Sequence, residues 1–288
     1  MRKQYTVREL LSISTQYLNE KGCVSARLDA ELLLGHVLEM SRIDLYLNLD
    51  KPLTSKEVDA YRECIGRRAR REPVAYITGT KEFYSLPFFV TPAVLIPRPE
   101  TELLVEKVVA LAKARLEAGA AQVRILDVGT GSGAIAIAVA RQDPDIQVVA
   151  VDLSEEALEV AGRNAACNEV ESQVQFVQSD LLAGVEGEFD IICSNPPYLS
   201  KAEMDNLQPE VDFEPASALD GGFDGLGFYR RIFAEAPPHL LEGGYLVVEI
   251  GAEQGEAVAA IAREYGFTVE GCLLDYGGRD RVVVARWN

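Results

Sequence analysis

The chain has 288 residues, 48% hydrophobic and 25% charged, a globular mixture that excludes collagen-like, coiled-coil and intrinsically disordered classes. Its formal net charge of −17 is unevenly placed: residues 1–80 hold 13 Lys/Arg against 11 Asp/Glu, and residues 81–288 hold 15 against 34. So acidic a region repels a phosphate backbone, which disfavours a large nucleic-acid footprint there.

Residues 1–72 read as helices. Thr6 and Glu9 form a capping box ahead of Val7, Leu10, Leu11, Ser14 and Leu18 on one face. A second helical segment runs from about Ser25 through Leu28, Leu32 and Gly35 to Leu38. Thr54 and Glu57 then cap a third that carries Val58, Tyr61, Ile65 and Ala69. No alternating strand pattern interrupts them, so a small helical bundle is predicted over 1–72. Its last helix ends in the basic run Arg67-Arg68-Ala69-Arg70-Arg71. This is either a solvated helix end complementing the helix dipole or a docking patch for an acidic partner or a nucleic acid.

From Pro73 to Pro99, five prolines punctuate aromatic and β-branched residues that include Phe83, Tyr84, Phe88, Phe89 and Val90. Proline confines such strands to edges and turns, so 73–99 reads as a connector with a hairpin. A helix over about Glu100–Glu117 opens a third region, 100–288. There, strands at Val123–Val128, Ile146–Val151, Gln173–Val177, Phe189–Cys193 and Tyr245–Ile250 are predicted, followed by Thr268–Leu274 and Arg281–Ala285. Helices fall at Ala134–Arg141, after Ser154, at about Leu226–Leu241 and at Gln254–Tyr265. This alternation predicts an α/β fold with a parallel sheet covered on both faces. The linker Asp275–Arg279 is too short for a crossover helix, so the last two strands pair antiparallel.

The first strand of that region runs into Gly129-Thr130-Gly131-Ser132-Gly133, then a helix, then a strand ending at Asp152. This is the layout of a nucleotide-type cofactor site at the carboxyl edge of a sheet. The glycines permit close approach of a ligand to the backbone, and the Asp152 carboxylate can accept hydrogen bonds from both ribose hydroxyls. Asp180, after the third strand, is placed to meet an adenine amino group. Gly129, Gly131 and Ala134 also satisfy the dinucleotide pattern G-x-G-x-x-A, so on this loop alone a nicotinamide enzyme competes.

The fourth strand decides, because it ends in Ser194-Asn195-Pro196-Pro197-Tyr198. Two prolines stiffen the turn, and the Asn195 side-chain carbonyl and Pro196 backbone carbonyl are two rigid acceptors. Each can take one hydrogen of a planar –NH₂, while Tyr198 stacks on the flat group that carries it. That arrangement favours pyramidalisation of the nitrogen and aims its lone pair at the sulfonium methyl of S-adenosylmethionine. Positioning and exclusion of water would supply most of the acceleration. The chemistry needs no His or Cys nucleophile, and five scattered cysteines with only His36 and His239 offer no zinc ligand set.

The combination of Gly129–Gly133, Asp152 and Asn195–Tyr198 resembles the class I S-adenosylmethionine-dependent amino-methyltransferases. The likeness narrows with Pro73–Gly79, Glu82-Phe83-Tyr84, Val94–Glu102, Asp127–Gly133, Phe213-Glu214-Pro215 and Ala218–Gly222. Over nearly the whole chain these resemble the glutamine methyltransferases that modify peptide chain release factors. The resemblance implies a Rossmann-like seven-stranded sheet with an antiparallel last strand, preceded by a helical substrate-docking domain. It implies methylation of the side-chain nitrogen of the glutamine in a Gly-Gly-Gln loop of class I release factors. S-adenosylmethionine would be the donor and S-adenosylhomocysteine the product. Gly129–Gly133, Asp152 and Asn195 would contact the cofactor, with Asp180 and Leu181 near the adenine, where some members carry an aromatic residue at the Leu181 position. Asn195, Pro196, Pro197 and Tyr198 would hold the substrate amide. Phe88 or Phe89 either walls the substrate pocket or packs the hairpin core, and Arg98 and Glu100 are expected to hold the connector against the catalytic domain. The Asp220–Gly225 loop reads as a structural turn.

Three other readings predict different behaviour. A nucleic-acid amino-methyltransferase would bind with steep salt dependence; a nicotinamide oxidoreductase would leave Asn195–Tyr198 without a task; a cofactor sensor would bind without turnover. No apolar run approaches the ~18 residues of a membrane helix. The basic start Met1–Tyr5 leads into an amphipathic stretch without a signal-peptide core. With scattered, odd-numbered cysteines, a cytoplasmic location without membrane or stable nucleic-acid partners is expected.

Overall fold

A computed structural model describes residues 4–288; the basic residues 1–3 lie outside the described residues. Internal contacts divide the chain into two units. One comprises the described residues up to Thr80 together with Gln208–Phe213, and the other comprises 81–207 and 214–288.

The first unit holds α1 (Val7–Glu20), α2 (Ala26–Leu38), α3 (Arg42–Leu47), α4 (Ser55–Ala69) and α5 (Val74–Thr78). The capping boxes predicted at Thr6/Glu9 and Thr54/Glu57 form, and Ser41/Asp44 makes a third at α3, an element the sequence reading missed. Val7, Leu10, Leu11, Ser14 and Leu18 of α1 are buried together, as are Val58, Tyr61 and Ile65 of α4. The helical segment expected from about Ser25 to Leu38 forms as α2, N-capped by Ser25. Ala26, Ala30, Leu33 and Leu34 are buried, whereas Leu28 and Leu32 are exposed. The helix also buries Asp29 and Glu31. Asp29 accepts from Arg68 Nε at 2.7 Å, and Glu31 accepts from Arg42 Nη2 at 2.8 Å and from the Tyr46 hydroxyl. Two ion-paired acids are thus buried alongside an apolar inward face.

The basic run closes α4, as the helix-end reading has it, but it is not a solvated end. Arg67 pairs with Glu72. Buried Arg68 bridges Asp29 and Glu210, and Arg71 holds the same Glu210 at 2.7 and 2.8 Å. Only the intervening Arg70 is exposed, so most of this positive charge is neutralised inside the unit.

The second unit opens with the expected hairpin, β1 (Thr80–Phe83) and β2 (Leu86–Phe89). Tyr84 and Ser85 both adopt positive φ, 52° and 60°, the conformation a two-residue turn needs to follow the strand twist. After the 3₁₀ turn Pro99–Thr101 come α6 (Glu102–Glu117), β3 (Val123–Val128), α7 (Ala134–Ala140), β4 (Ile146–Asp152) and α8 (Glu155–Cys167). Next follow β5 (Val174–Gln178), β6 (Phe189–Ser194), α9 (Lys201–Met204) and α10 (Gly227–Glu235). β7 (Leu240–Glu249), α11 (Gly255–Glu264), β8 (Thr268–Leu274) and β9 (Asp280–Arg286) complete the chain.

The seven-stranded sheet has the order β5-β4-β3-β6-β7-β9-β8. Its first five members are mutually parallel, and β9 runs antiparallel to both β7 and β8. Alternate residues feed two cores. Ile125, Ile191, Val247 and Val284 face the side of α6 and α7, while Leu126, Ile192, Leu246 and Val283 face the side of α10 and α11. Strands buried on both faces read as near-continuous apolar runs, which is why their positions are predictable. Two neighbouring boundaries differ, since the strand expected from Tyr245 also begins five residues earlier. The helix expected over Leu226–Leu241 ends at Glu235 and is followed by a 3₁₀ turn, Pro237–His239, with β7 starting at Leu240. Two successive prolines lack the N–H groups the helix needs to continue.

Candidate active site

Three neighbouring strands deliver the candidate residues to one edge of the sheet. Val128 at the end of β3 is in register with Val151 of β4 and Ser194 of β6. The glycine loop, Asp152 and Asn195–Tyr198 therefore leave the sheet side by side, with strands about 4.8 Å apart. The Ser194 hydroxyl donates to Val128 O at 2.7 Å and fastens the start of the Asn195–Tyr198 loop to the start of the glycine loop.

In the glycine loop, Gly129, Gly131 and Gly133 all have positive φ (75°, 54° and 80°). A Cβ on Gly133 would strike Ile137 and Ala161, whereas a Cβ on Gly129 or Gly131 would meet nothing. The first two glycines thus border open space and the third is packed. Asp152 Oδ2 accepts from Gly131 N at 2.8 Å and Oδ1 from Ser154 N at 2.9 Å, so the carboxylate is aimed beside the loop with a lone pair spare on each oxygen. Thr130 and Ser132 turn inward. The Thr130 hydroxyl donates to Asp127 Oδ2 at 2.7 Å, and Ser132 O accepts from Asn164 Nδ2 at 2.8 Å. Asp127 is fully buried, and burial pushes its carboxyl up to about 7 against the bonds from Thr130 and Ala136 N.

In the second loop, Pro196 is buried and Asn195, Pro197 and Tyr198 are partly buried. Asn195 Nδ2 donates to Thr101 Oγ1 at 3.2 Å. Because that bond uses the –NH₂ end, the carbonyl Oδ1 is the end left for an incoming donor. The loop is braced from behind. Gln254 Nε2 donates to Tyr198 O at 3.0 Å, and Gly221 N donates to Leu199 O at 2.8 Å. A Cβ on Gly225 would lie 2.4 Å from Tyr198 O. The Asp220–Gly225 segment is the structural turn expected, with Asp224 held down to about 2 by its bonds from Arg230 and Leu226 N.

Comparison with known proteins gives this arrangement its family. Residues 9–79 match the PrmC N-terminal domain and residues 100–211 the Methyltransferase small domain. A release factor glutamine methyltransferase of Geobacter sulfurreducens is 45% identical over 98% of this chain and 97% of its own length. Another, of Koribacter versatilis, is 42% identical over 98% of both. The chain belongs to the release factor glutamine methyltransferase family. A solved methyltransferase structure from Pyrococcus furiosus has a TM-score of 0.53 at 21% identity, covering 77% of this chain and 98% of that one. This methyltransferase therefore has the class I fold that its sequence resemblance implied.

Other expected positions fall at the rim of the methyltransferase site or outside it. Asp180 is half exposed and its Oδ1 pairs with Arg231 of α10 at 3.0 Å. Leu181 has a φ of 51° and packs against the α10 and α11 core. Phe88 is fully buried in the hairpin core. Phe89 is half-buried beneath the Arg163 guanidinium, which lies 3.3 Å from its ring centre. Arg98 does fasten the connector, donating to buried Glu214 at 2.6 Å. Glu100 is exposed, and it is Glu102 that accepts Tyr84 N from the hairpin at 2.9 Å.

Sequence reasoning missed three buried polar side chains of this unit. Asn164 of α8 accepts from Phe89 N and donates to both Phe89 O and Ser132 O, joining hairpin and glycine loop. Thr101 holds Asn195. Glu249, at the end of β7, is 1% exposed, and burial pushes its carboxyl up to about 7. An acid inside the apolar run Tyr245–Ile250 is the signal that could have found it. Among the described residues, no helix is long and apolar enough to cross a membrane.

Proposed function

We propose that the chain transfers a methyl group to the side-chain amide nitrogen of the glutamine in the Gly-Gly-Gln loop of class I peptide chain release factors, with S-adenosylmethionine as donor. The observation that carries this reading is the Asn195 amide, held by its –NH₂ end on Thr101 so that its carbonyl oxygen is left to accept, in a chain belonging to this family. Open space over Gly129 and Gly131 and the aimed Asp152 carboxylate fit an adenosine-type ligand. Asp152 would take the ribose hydroxyls, with Gly129–Gly133, Asp180, Leu181 and Asn195 around the remainder.

When bound, S-adenosylmethionine supplies an electrophilic methyl on a positively charged sulfur. The chain's own contribution is to make a poor nucleophile reactive. Asn195 Oδ1 and Pro196 O each accept one hydrogen of the glutamine –NH₂, which opposes delocalisation of its lone pair into the carbonyl and fixes the line of attack. Pro196 and Pro197 keep the two acceptors from drifting. Tyr198, backed by Gln254, covers the flat amide and excludes water. The helical residues 1–72 are assigned to docking the rest of the release factor.

The test is incubation with tritiated-methyl S-adenosylmethionine and a release factor, in parallel with its Gly-Gly-Gln→Gly-Gly-Ala variant and total RNA. Label is expected in the protein only when the glutamine is present; label in RNA alone would overturn the substrate. Asn195→Ala is expected to lower kcat about 100-fold or more, by analogy with loss of one preorganised polar contact to a reacting group. Near-normal turnover in that variant would remove the two-acceptor mechanism. A nucleic-acid substrate is disfavoured by the acidic region 81–288 and by the ion pairs that occupy Arg67, Arg68 and Arg71.

A further inference from the structure

Asn164 has no task in the mechanism above, yet both polar atoms of its side chain are committed. It lies on α8 and is fully buried. Its Oδ1 accepts from Phe89 N at 2.6 Å, while Nδ2 donates to Phe89 O at 3.0 Å and to Ser132 O at 2.8 Å. The N–H of Phe89 can only donate and the two carbonyls can only accept, so the amide has a single possible orientation. One side chain thus pairs with the end of hairpin strand β2, as a neighbouring strand would, and reaches on to the middle of the glycine loop. The loop also rests on the same helix at its far end. A Cβ on Gly133 would lie 3.2 Å from Ala161 Cβ, one turn before Asn164.

A glycine-rich loop suits a ligand because its backbone bends freely, and for the same reason it does not hold one shape unaided. Gly131 N is tied on one side to Asp152 at 2.8 Å. Ser132 O, the next carbonyl along, is tied on the other side by Asn164. Ser132 is only 3% exposed, so water is a poor substitute for that bond. Asn168, one turn further along α8, provides an internal comparison. Its Nδ2 donates to Pro87 O at 3.0 Å and to Asn164 O at 2.9 Å. It therefore fastens the same hairpin to the same helix through bonds that do not include the glycine loop.

We propose that Asn164 is a positioning residue of the cofactor site, holding the glycine loop in its ligand-ready shape by tying Ser132 O to the connector hairpin. This rests on the assignment of the glycine loop to S-adenosylmethionine under the proposed function. A loop released from the tie spends part of its time in other shapes, and the apparent dissociation constant rises by the inverse of the competent fraction. Saturating cofactor selects the competent shape again, so turnover survives where affinity does not.

The experiment measures binding of S-adenosylhomocysteine by titration calorimetry, and kcat with release factor at saturating S-adenosylmethionine. Asn164→Ala removes the tie, and Asn164→Leu removes it while nearly keeping the shape of the side chain, so either variant alone carries the test. Both are expected to bind about tenfold or more weakly, as for a competent fraction of about a tenth or less. Their kcat at saturation should stay within about threefold of wild type. Asn168→Ala is expected to lower the thermal midpoint as they do, but to leave the dissociation constant within about twofold. Wild-type affinity in the Asn164 variants, with only the thermal midpoint lowered, would overturn the proposal by showing a purely structural role. So would an equal loss of affinity in Asn168→Ala, or a fall in kcat at saturation in place of the loss of affinity. Asp152→Ala in the same titration separates the two levels. If it binds like wild type, the placement of the cofactor itself falls. If it binds weakly while the Asn164 variants bind normally, only the inference about Asn164 falls.

Discussion

At Asp152 the two backbone bonds from Gly131 and Ser154 aim a carboxylate at the space over the glycine loop. Replacement by alanine removes both the acceptor proposed for the ribose hydroxyls and the tie on Gly131. Affinity for S-adenosylmethionine is expected to fall about 10- to 1,000-fold, since a hydrogen bond to a charged acceptor is worth about 1.5–3 kcal/mol. Turnover at saturating cofactor should change far less, because Asp152 is assigned no contact with the reacting nitrogen. Titration calorimetry reads the difference directly, and an unchanged dissociation constant would place the ribose elsewhere. Residues such as Asp152 are legible in sequence because their signature is local: an acid closing an apolar strand a fixed distance after a glycine loop. The same holds for Asn195–Tyr198, whose prolines and asparagine specify a turn by themselves. Thr101 and Glu249 lack such a signature. Thr101 meets Asn195 only when the connector and β6 are brought together, and Glu249 is marked only by its burial at the end of β7.

Among the elements, α4 tests how far ion pairing shapes the helical unit. Arg68 is buried and holds two carboxylates, Asp29 and Glu210. Burial alone would raise the Glu210 carboxyl, but the bonds from Arg71 and Arg68 hold it down to about 2. Arg68→Ala strands Asp29 without its cation and is expected to destabilise by about 3–5 kcal/mol, the usual result of breaking a buried pair. Arg70→Ala, one turn-end residue away and exposed, should stay within about 0.5 kcal/mol of wild type. Urea unfolding of the two variants provides the comparison, and equal midpoints would mean that the Arg68 network contributes nothing. The same network explains what the sequence left obscure in this unit. Helix positions and caps were readable from periodicity and Ser/Thr-x-x-Glu spacing, but the buried face of α2 was not. It includes acids that arginines on α3 and α4 reach, a tertiary pairing invisible to a hydropathy stripe. By contrast, six of the seven strands were found to within about one residue at each end, the central ones because burial on both faces leaves β-branched and aliphatic residues in runs. The exception is β7, expected from Tyr245, which begins at Leu240 because Glu242, Gly243 and Gly244 interrupt its apolar pattern.

For the molecule as a whole, the buried acids set a pH dependence of stability whose sign can be worked out. Asp127 and Glu249 have ordinary values of 3.8 and 4.5 and are both pushed by burial to about 7 in the folded protein. Between about pH 4 and 7 the folded state keeps protons that the unfolded state has released, so stability falls as pH rises through this window. Glu210 and Asp224, held at about 2, act oppositely. Their contribution is in place above the ordinary carboxylate range and is lost only as pH drops toward 2. The thermal midpoint is therefore expected to be highest near pH 5 and to decline by a few degrees toward pH 8. Self-repulsion of a chain carrying −17 produces a decline of the same sign, so wild type alone does not separate the two causes. Glu249→Gln does, because it changes the net charge by a single unit but removes one of the two buried titrations. Its midpoint should fall less steeply from pH 5 to 8 than that of wild type. Parallel declines would place the Glu249 titration outside this window and leave net charge and Asp127 as its source.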